Sequence, residues 1–431
     1  MPETAYRLSI ASELTAFRSE IEYACGFLDA CYQVTRKPDA ERILHYGPNA
    51  PAGAVAVPDV LFPDGVTIDG DGIHPRRQAL AAFAVREIGG LKPAAALRYD
   101  ALGLIFFLLS RLEERGYPGN DRYGRFPIEA ALFSPDNGRL YPYADQAAED
   151  IAAALTGQAK PLRRTSYSVM FTHDVDILKG YHRLLQPLRY AAGDLLKRFD
   201  PASAFARLNK AYFSAEPWWS FRQLMDLSER SGIASRFYFM GPSKDSMDSP
   251  YVVRFPGLLR AVMAEIQKRG HVIGFHPGFH TATDAAEWRR QKEGLESAGA
   301  VSVREGRQHV LRYDASVTPR IWSDGGMELD CTLAYPEAVG FRSGTCRPFH
   351  AYDLKARCAL PLIQLSTSVM EFGLFGGKYH DLPVEQAVDD SNWASDICRL
   401  YDGTFVLLFH TGQAERRLWS WLEAVVAHAT T

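Results

Sequence analysis

The sequence predicts an α/β protein: a (β/α) barrel, complete or distorted, over residues 161–431, preceded by a smaller α/β accessory domain over residues 1–160. Three observations predict it. From residue 166 onward, apolar β-prone runs alternate with helical runs, the rhythm of a parallel sheet. That stretch holds about 265 residues, a length that suits a barrel. The segment TGQAKPLRRTS, 156–166, is polar, carries a Gly and a Pro, and precedes a clear strand, so the boundary is placed there.

Within residues 1–160, AVAVPDVLF reads as short apolar strand, and DALGLIFFLLSRLEERG, 100–116, as a helix ending at Gly116 with Pro118 beyond it. SYSVMF, 166–171, opens the barrel as a strand. WWSFRQLMDLSERSG, 218–232, is a helix stopped at Gly232, and ASRFYFMG a strand. PGLLRAVMAEIQKRG, 256–270, is a helix with Pro256 at its start and Gly270 after its end. HVIGFH is a strand, DAAEWRRQKEGLESAG a helix, and VGFRSG and FVLLF are later strands.

The chain has 431 residues, 47% of them hydrophobic, which fits an ordinary globular protein. A formal net charge of −3 argues against general affinity for nucleic acid or anionic membrane. Six cysteines (Cys25, Cys31, Cys331, Cys346, Cys358, Cys398) show no CxxC spacing and read as reduced thiols. The first residues lack a basic stretch followed by an apolar core, and ALGLIFFLL is too short to span a bilayer, so a cytoplasmic protein without a transmembrane segment is expected. No P-loop, HExxH, GxSxG or dinucleotide fingerprint is present.

Active sites of (β/α) barrels lie at the C-terminal ends of the strands. Four apolar runs here end in charged or imidazole groups. SVMF leads to His173, Asp174 and Asp176, and HVIGF to His276 and, four residues on, His280. AVGF leads to Arg342, and FVLLF to His410. Side chains alternate along a strand, so Asp174 and Asp176 share a face: one can ligate a metal while the other stays free as a base. Pro277 suits a first helical turn, which would bring His280 beside His276. Two imidazoles and one carboxylate match a catalytic zinc site with room for water. Each feature has a plainer reading: DxD as a strand-end turn, HxxxH as a solvated helix face, the arginine as a structural partner of a carboxylate, the histidine after LLF as a core residue. Their joint position at strand ends favours the site.

These residues carry a resemblance. The region of roughly 165–415 resembles the polysaccharide deacetylases, carbohydrate esterase family 4, which have a distorted (β/α) barrel. THDVD resembles a variant of that family's first motif, HPGFH its His-x-x-x-His motif with Pro277 replacing a hydroxyl residue, FRSGTCRPF its arginine motif, and LLFHTG its last. The resemblance implies Asp174 as general base, Asp176, His276 and His280 as metal ligands, Arg342 (or Arg347) orienting the base, and His410 as general acid. The sequence offers no counterpart of the family's aspartate that tunes this histidine. A divalent ion, zinc first, and an N-acetylated sugar or glycan substrate follow from the resemblance, with removal of N-acetyl groups as the activity. An amidase on a non-sugar amide, a metal-dependent glycosyltransferase using Asp174-x-Asp176, and a silent carbohydrate-binding module are the rivals. His309 and Arg312, in GRQHVLRYD, read as buried structural groups at least as well as substrate contacts, and Trp218 and Trp219 as core or interdomain packing residues ahead of a sugar-stacking wall.

Overall fold

The computed structural model describes residues 3–80, 97–133, 135–178, 185–209, 219–375, 377, 379–413 and 415–431. Four parallel strands, β1 (Thr4–Ile10), β2 (Val34–Arg36), β3 (Ile43–Tyr46) and β4 (Val55–Val57), form a sheet in the order β2-β1-β3-β4. A hairpin of β5 (Val66–Asp69) and β6 (Gly72–Pro75) follows. The helices Arg18–Cys31, Ala101–Leu109 and Tyr143–Thr156 pack their apolar faces with this sheet. The helix read through Gly116 stops at Leu109, because Arg111 adopts a left-handed conformation (φ 53°) and turns into a buried cluster with Glu113 and Glu114. A two-residue strand, β7 (Arg139–Leu140), comes before the last of those helices.

The larger sheet is built from β8 (Ser168–Val175), β9 (Ser235–Met240), β10 (Val272–His276), β11 (Glu305–Gly306), β12 (Leu329–Asp330), β14 (Phe349–Asp353), β15 (Cys358–Gln364), β16 (Val369–Met370) and β17 (Thr404–Leu408). Its order is β14-β15-β12-β11-β10-β9-β8-β17-β16, all parallel except the β14–β15 pair. Laid flat, β15 and β16 would stand seven strand spacings apart, roughly 34 Å. Only residues 365–368 join them, a span of at most ~18 Å even when extended. The sheet is therefore rolled up. The Leu365 N–H donates to the Asp330 carbonyl (3.0 Å) and the Ser368 N–H to the Val406 carbonyl (2.9 Å), so one bent run pairs first with β12 and then with β17 and closes the barrel. The helices Trp219–Arg230, Pro256–Lys268, Ala285–Gly299, Val384–Leu400 and Arg416–Thr430 surround it, and their apolar faces share a core with the strands.

The run VGFRSG does not join the barrel. Its strand, β13 (Val339–Gly340), pairs with β7 of the N-terminal portion. The two portions also share side chains: Tyr313, Leu333, Phe349 and Tyr352 sit in the same apolar cluster as Tyr6, Ile21 and Phe106. Buried Glu20 accepts from Tyr352 (2.9 Å) and Arg357 (2.8 Å), and buried Asp145 accepts from Thr345 Oγ1 and the Cys346 N–H, both at 2.8 Å. No described helix is long and apolar enough to cross a membrane, and all six cysteines are unpaired. Trp218 lies outside the described residues.

Candidate metal and catalytic site

The strand β8 carries FTHDV into the centre of the barrel mouth. Alternation sends His173 one way and Asp174 and Asp176 the other. His173 is structural. Its Nδ1–H donates to the Phe409 carbonyl (2.9 Å), its Nε2 meets Ser235 Oγ (3.0 Å), and burial pushes its pKa down to about 3, so it stays neutral. Asp174 is buried, while a third of the Asp176 side chain is exposed.

At the end of β10, His276 donates its Nδ1–H to the carbonyl of Arg307 at 2.6 Å, which leaves Nε2 facing Asp176 Oδ1 (3.4 Å) and Asp174 Oδ2 (3.8 Å). From the loop after β11, His309 donates its Nδ1–H to Asp248 (2.8 Å), and its ring centroid lies 5.1 Å from that of His276. Val310 and Leu311 behind it both have positive φ (60° and 56°), an uncommon conformation for such side chains. Asp176, His276 and His309 each offer a ligand atom, and the three atoms lie within 4.8 Å of one another.

A divalent cation fits these groups. Asp176 Oδ1 and His276 Nε2 are buried and have no hydrogen-bond partner, a state that costs about 1–3 kcal/mol per group unless something else satisfies them. Both imidazoles have Nδ1 held by an acceptor, the arrangement that fixes a histidine ligand's tautomer and presents Nε2. Burial works against protonation of His276, but the Asp174 and Asp176 charges outweigh it and hold its pKa above the ordinary value. Burial likewise works to raise Asp176, and the facing His276, with His410 and His309, holds it below the carboxylate range. The cluster is thus rich in negative charge around an imidazole nitrogen that makes no hydrogen bond and meets the Asp176 carboxylate at 3.4 Å.

His280, expected as a ligand, is not brought to this cluster. After Pro277 the chain extends through Gly278 (ψ 174°) and then makes a 3-10 turn, Phe279–Ala282, instead of an α-helical turn. His280 swings outward, 65% exposed, with Nε2 2.8 Å from Asp245. Arg342, expected beside Asp174, is also elsewhere. Because β13 pairs with β7, Arg342 reaches Glu114 with two bonds of 3.0 and 2.8 Å. Arg347, the second choice, is buried against the Tyr401 carbonyl. The arginine on Asp174 is Arg307, whose Nη1–H donates to Oδ1 at 2.6 Å. Its other donors reach Thr172 Oγ1 (2.9 Å), Thr367 Oγ1 (2.8 and 3.1 Å) and the Cys331 carbonyl (3.1 Å), which bind three sectors of the barrel mouth together.

His410 follows β17, with Nε2 3.9 Å from Asp176 Oδ2. Buried Glu371 accepts from both its backbone N–H (2.9 Å) and its Nδ1–H (2.7 Å). Burial lowers the pKa of this imidazole, but the Glu371 carboxylate, aided by Asp176 and Asp174, pushes it up to about 9. Glu371 therefore stands where the sequence showed no tuning acid. Arg312 donates to the Phe279 carbonyl (2.5 Å) and covers the Phe279 ring, a structural role. A cavity of about 340 Å³ opens beside Asp176 and His410, walled by Phe372, Tyr190, Arg198 and Arg207.

Residues 16–160 match a family of unknown function (DUF7033), about a third of the chain. No curated protein matches. Among solved structures, the chain is similar to a Mycobacterium smegmatis protein assigned as a polysaccharide deacetylase, with 18% identity over 62% of this chain and 85% of that one and a TM-score of 0.41. It is also similar to a mutant of a CE4 family pseudoenzyme with restored activity, with 9% identity over 61% of this chain, 62% of that chain's length and a TM-score of 0.32. A family 4 carbohydrate esterase from Streptomyces lividans has 10% identity over 62% and 88% of the two chains and a TM-score of 0.31.

Proposed function

We propose that the chain is a metal-dependent hydrolase that removes N-acetyl groups from an amino sugar or a glycan precursor. One observation carries the reading: the buried, unpartnered Asp176 Oδ1 and His276 Nε2, with His309 beside them, lie between a carboxylate held by arginine and a histidine held by glutamate. Asp176, His276 and His309 would hold the ion, most simply zinc from their oxygen and nitrogen donors. Such an ion supplies Lewis acidity, lowering the pKa of water and polarising a carbonyl.

The remaining work falls to this chain's own side chains. Asp174 serves as general base. Arg307 fixes Oδ1, and Oδ2 stays turned toward the ligand cluster to accept a proton. His410 serves as general acid: held protonated by Glu371, it can deliver the Nε2 proton to a departing amine. Phe372, against the His410 ring at 5.0 Å, shields one side of that transfer. A glycosyltransferase reading would need Asp174 and Asp176 together on a metal–nucleotide pair. Asp174 is already committed to Arg307, which weighs against it. The six unpaired cysteines support a reducing, cytoplasmic setting.

The test is metal analysis of the purified protein together with acetate release from N-acetylated sugars. One equivalent of divalent metal and metal-dependent acetate release are expected. A metal-free protein, or release that survives chelation, would overturn the proposal.

A further inference from the structure

The helix Gln186–Lys197 and the helix Pro201–Leu208 form a hairpin beside the candidate site, and the first helix is built inside out. It turns Pro187, Ala191 and Asp194 toward the body of the protein. Its outer face presents Leu188, Leu195 and Leu196, continued by Phe199, which is 85% exposed. Leu188 and Leu195, seven residues apart, share one face of the helix, and Phe199 follows just beyond its C-terminus with a positive φ of 51°. The second helix repeats the pattern: Ser203 and Ala204 are buried and Phe205 is 72% exposed. A helix that only had to pack on a barrel would turn its leucines inward. Exposed apolar patches of this kind mark interaction surfaces.

Charge points to the occupant. Residues 185–209 contain four cationic side chains against two acidic ones; Arg198 and Arg207 are tied to buried Asp194 (2.9 and 2.7 Å), and Arg198 also pairs with Glu415, which leaves Arg189 and Lys197 as the outward cations. Arg189 and Lys197 are exposed and have no ion pair among the described residues. The net charge of −3 on the whole chain conceals this local excess. Separate Leu and Phe tips on a ridge of two short helices, flanked by Arg and Lys, suit insertion among lipid headgroups, which asks for no shape complementarity. A protein interface would require a closely packed, complementary patch.

We infer that the 185–209 hairpin docks the protein on an anionic membrane surface. Tyr190, Arg198 and Arg207 of the same hairpin wall the cavity that holds Asp176 and His410, so docking sets the mouth of the site at headgroup level, where a substrate borne on a lipid would be presented. The docking inference stands independently of the hydrolase reading, because its test reads binding and not turnover.

The full-length protein is mixed with phosphatidylcholine vesicles with and without about a third phosphatidylglycerol, and the bound fraction is measured by flotation at low and high salt. Binding to the anionic vesicles, weakened by salt, is expected. Replacing Leu188, Leu195, Leu196 and Phe199 together with Ser should weaken it on the order of tenfold or more. Arg189→Gln with Lys197→Gln should lower binding to anionic vesicles and leave binding to neutral ones unchanged. Thermal unfolding of each variant checks the fold, and the charge pair provides an independent arm should the apolar variant unfold. Absence of binding by the wild-type protein, or binding untouched by both sets of substitutions, would overturn the inference. So would a dimer that the Ser substitutions dissolve without any vesicle binding, since a second copy would then be what covers the face.

Discussion

The barrel mouth and the seam between residues 1–160 and the barrel are both built from buried ionic side chains. At the seam the charges close on one another. Arg342 makes two bonds to Glu114, and Arg111 bridges Glu113 and Glu114, with all four side chains almost fully buried. At the mouth they do not close: Asp176 Oδ1 and His276 Nε2 face each other 3.4 Å apart without a hydrogen bond. Arg307 and Arg342 show the contrast in miniature. Both are buried guanidiniums on a carboxylate, yet one holds an acid within a group that has room for a cation and the other ties two parts of the chain together. A closed set of buried charges specifies structure, whereas an open one calls for a ligand.

The contrast can be broken most decisively at the ligands. His276→Ala or His309→Ala should abolish stoichiometric metal binding, whereas His280→Ala should retain it. Metal content after dialysis decides, and loss of the ion in His280→Ala would return that residue to the site. The next largest effect is on turnover. Asp174→Asn should keep the metal and lower acetate release by on the order of 10²–10⁴, the usual contribution of a general base. Equal loss of metal would make Asp174 a ligand.

Arg342→Ala should act on the seam alone. It strips Glu114 of one of its two arginine partners while the carboxylate stays buried, which costs about 3–5 kcal/mol for a broken buried pair. Denaturant unfolding should show that loss, with metal content and activity per folded molecule unchanged. A fall in activity at full folding would place Arg342 in the mechanism after all.

The smallest effect is a displacement of a pH profile. His410 is pushed up to about 9, so its acid form persists below that pH and activity should fall as pH rises through it. Removing the carboxylate in Glu371→Gln removes the main cause of that rise. The basic limb should then move to lower pH, toward the ordinary histidine value of ~6.5. A limb that stays in place would mean that another group donates the proton.

What the sequence made legible follows strand length. Asp174, Asp176, His276 and His410 each end an apolar run of four or more residues, long enough to read as a strand with a polar tip. Arg307 and Glu371 follow strands of two residues, β11 and β16, so no run announces them, and GRQHVLRYD presents His309 only as a substrate contact or a buried group and not as a ligand. VGFRSG misled for the opposite reason. It resembles a barrel strand, but its two paired residues face β7, and pairing partners are invisible in a local pattern. His280 turned on one backbone choice after Pro277, extended at Gly278 instead of helical, which proline permits as readily. The shared core of the two portions was equally hidden, since a polar linker at 156–166 shows where the chain crosses over and not what packs across it.

Arg307 contributes to the site twice, through two different kinds of atom: its guanidinium grips Asp174, and its backbone carbonyl fixes the tautomer of His276. The genetic code can change the first and cannot touch the second. A lineage that drifts at this codon loses the grip on Asp174 and the bonds to Thr172, Thr367 and Cys331 in one step, yet keeps the carbonyl that orients His276.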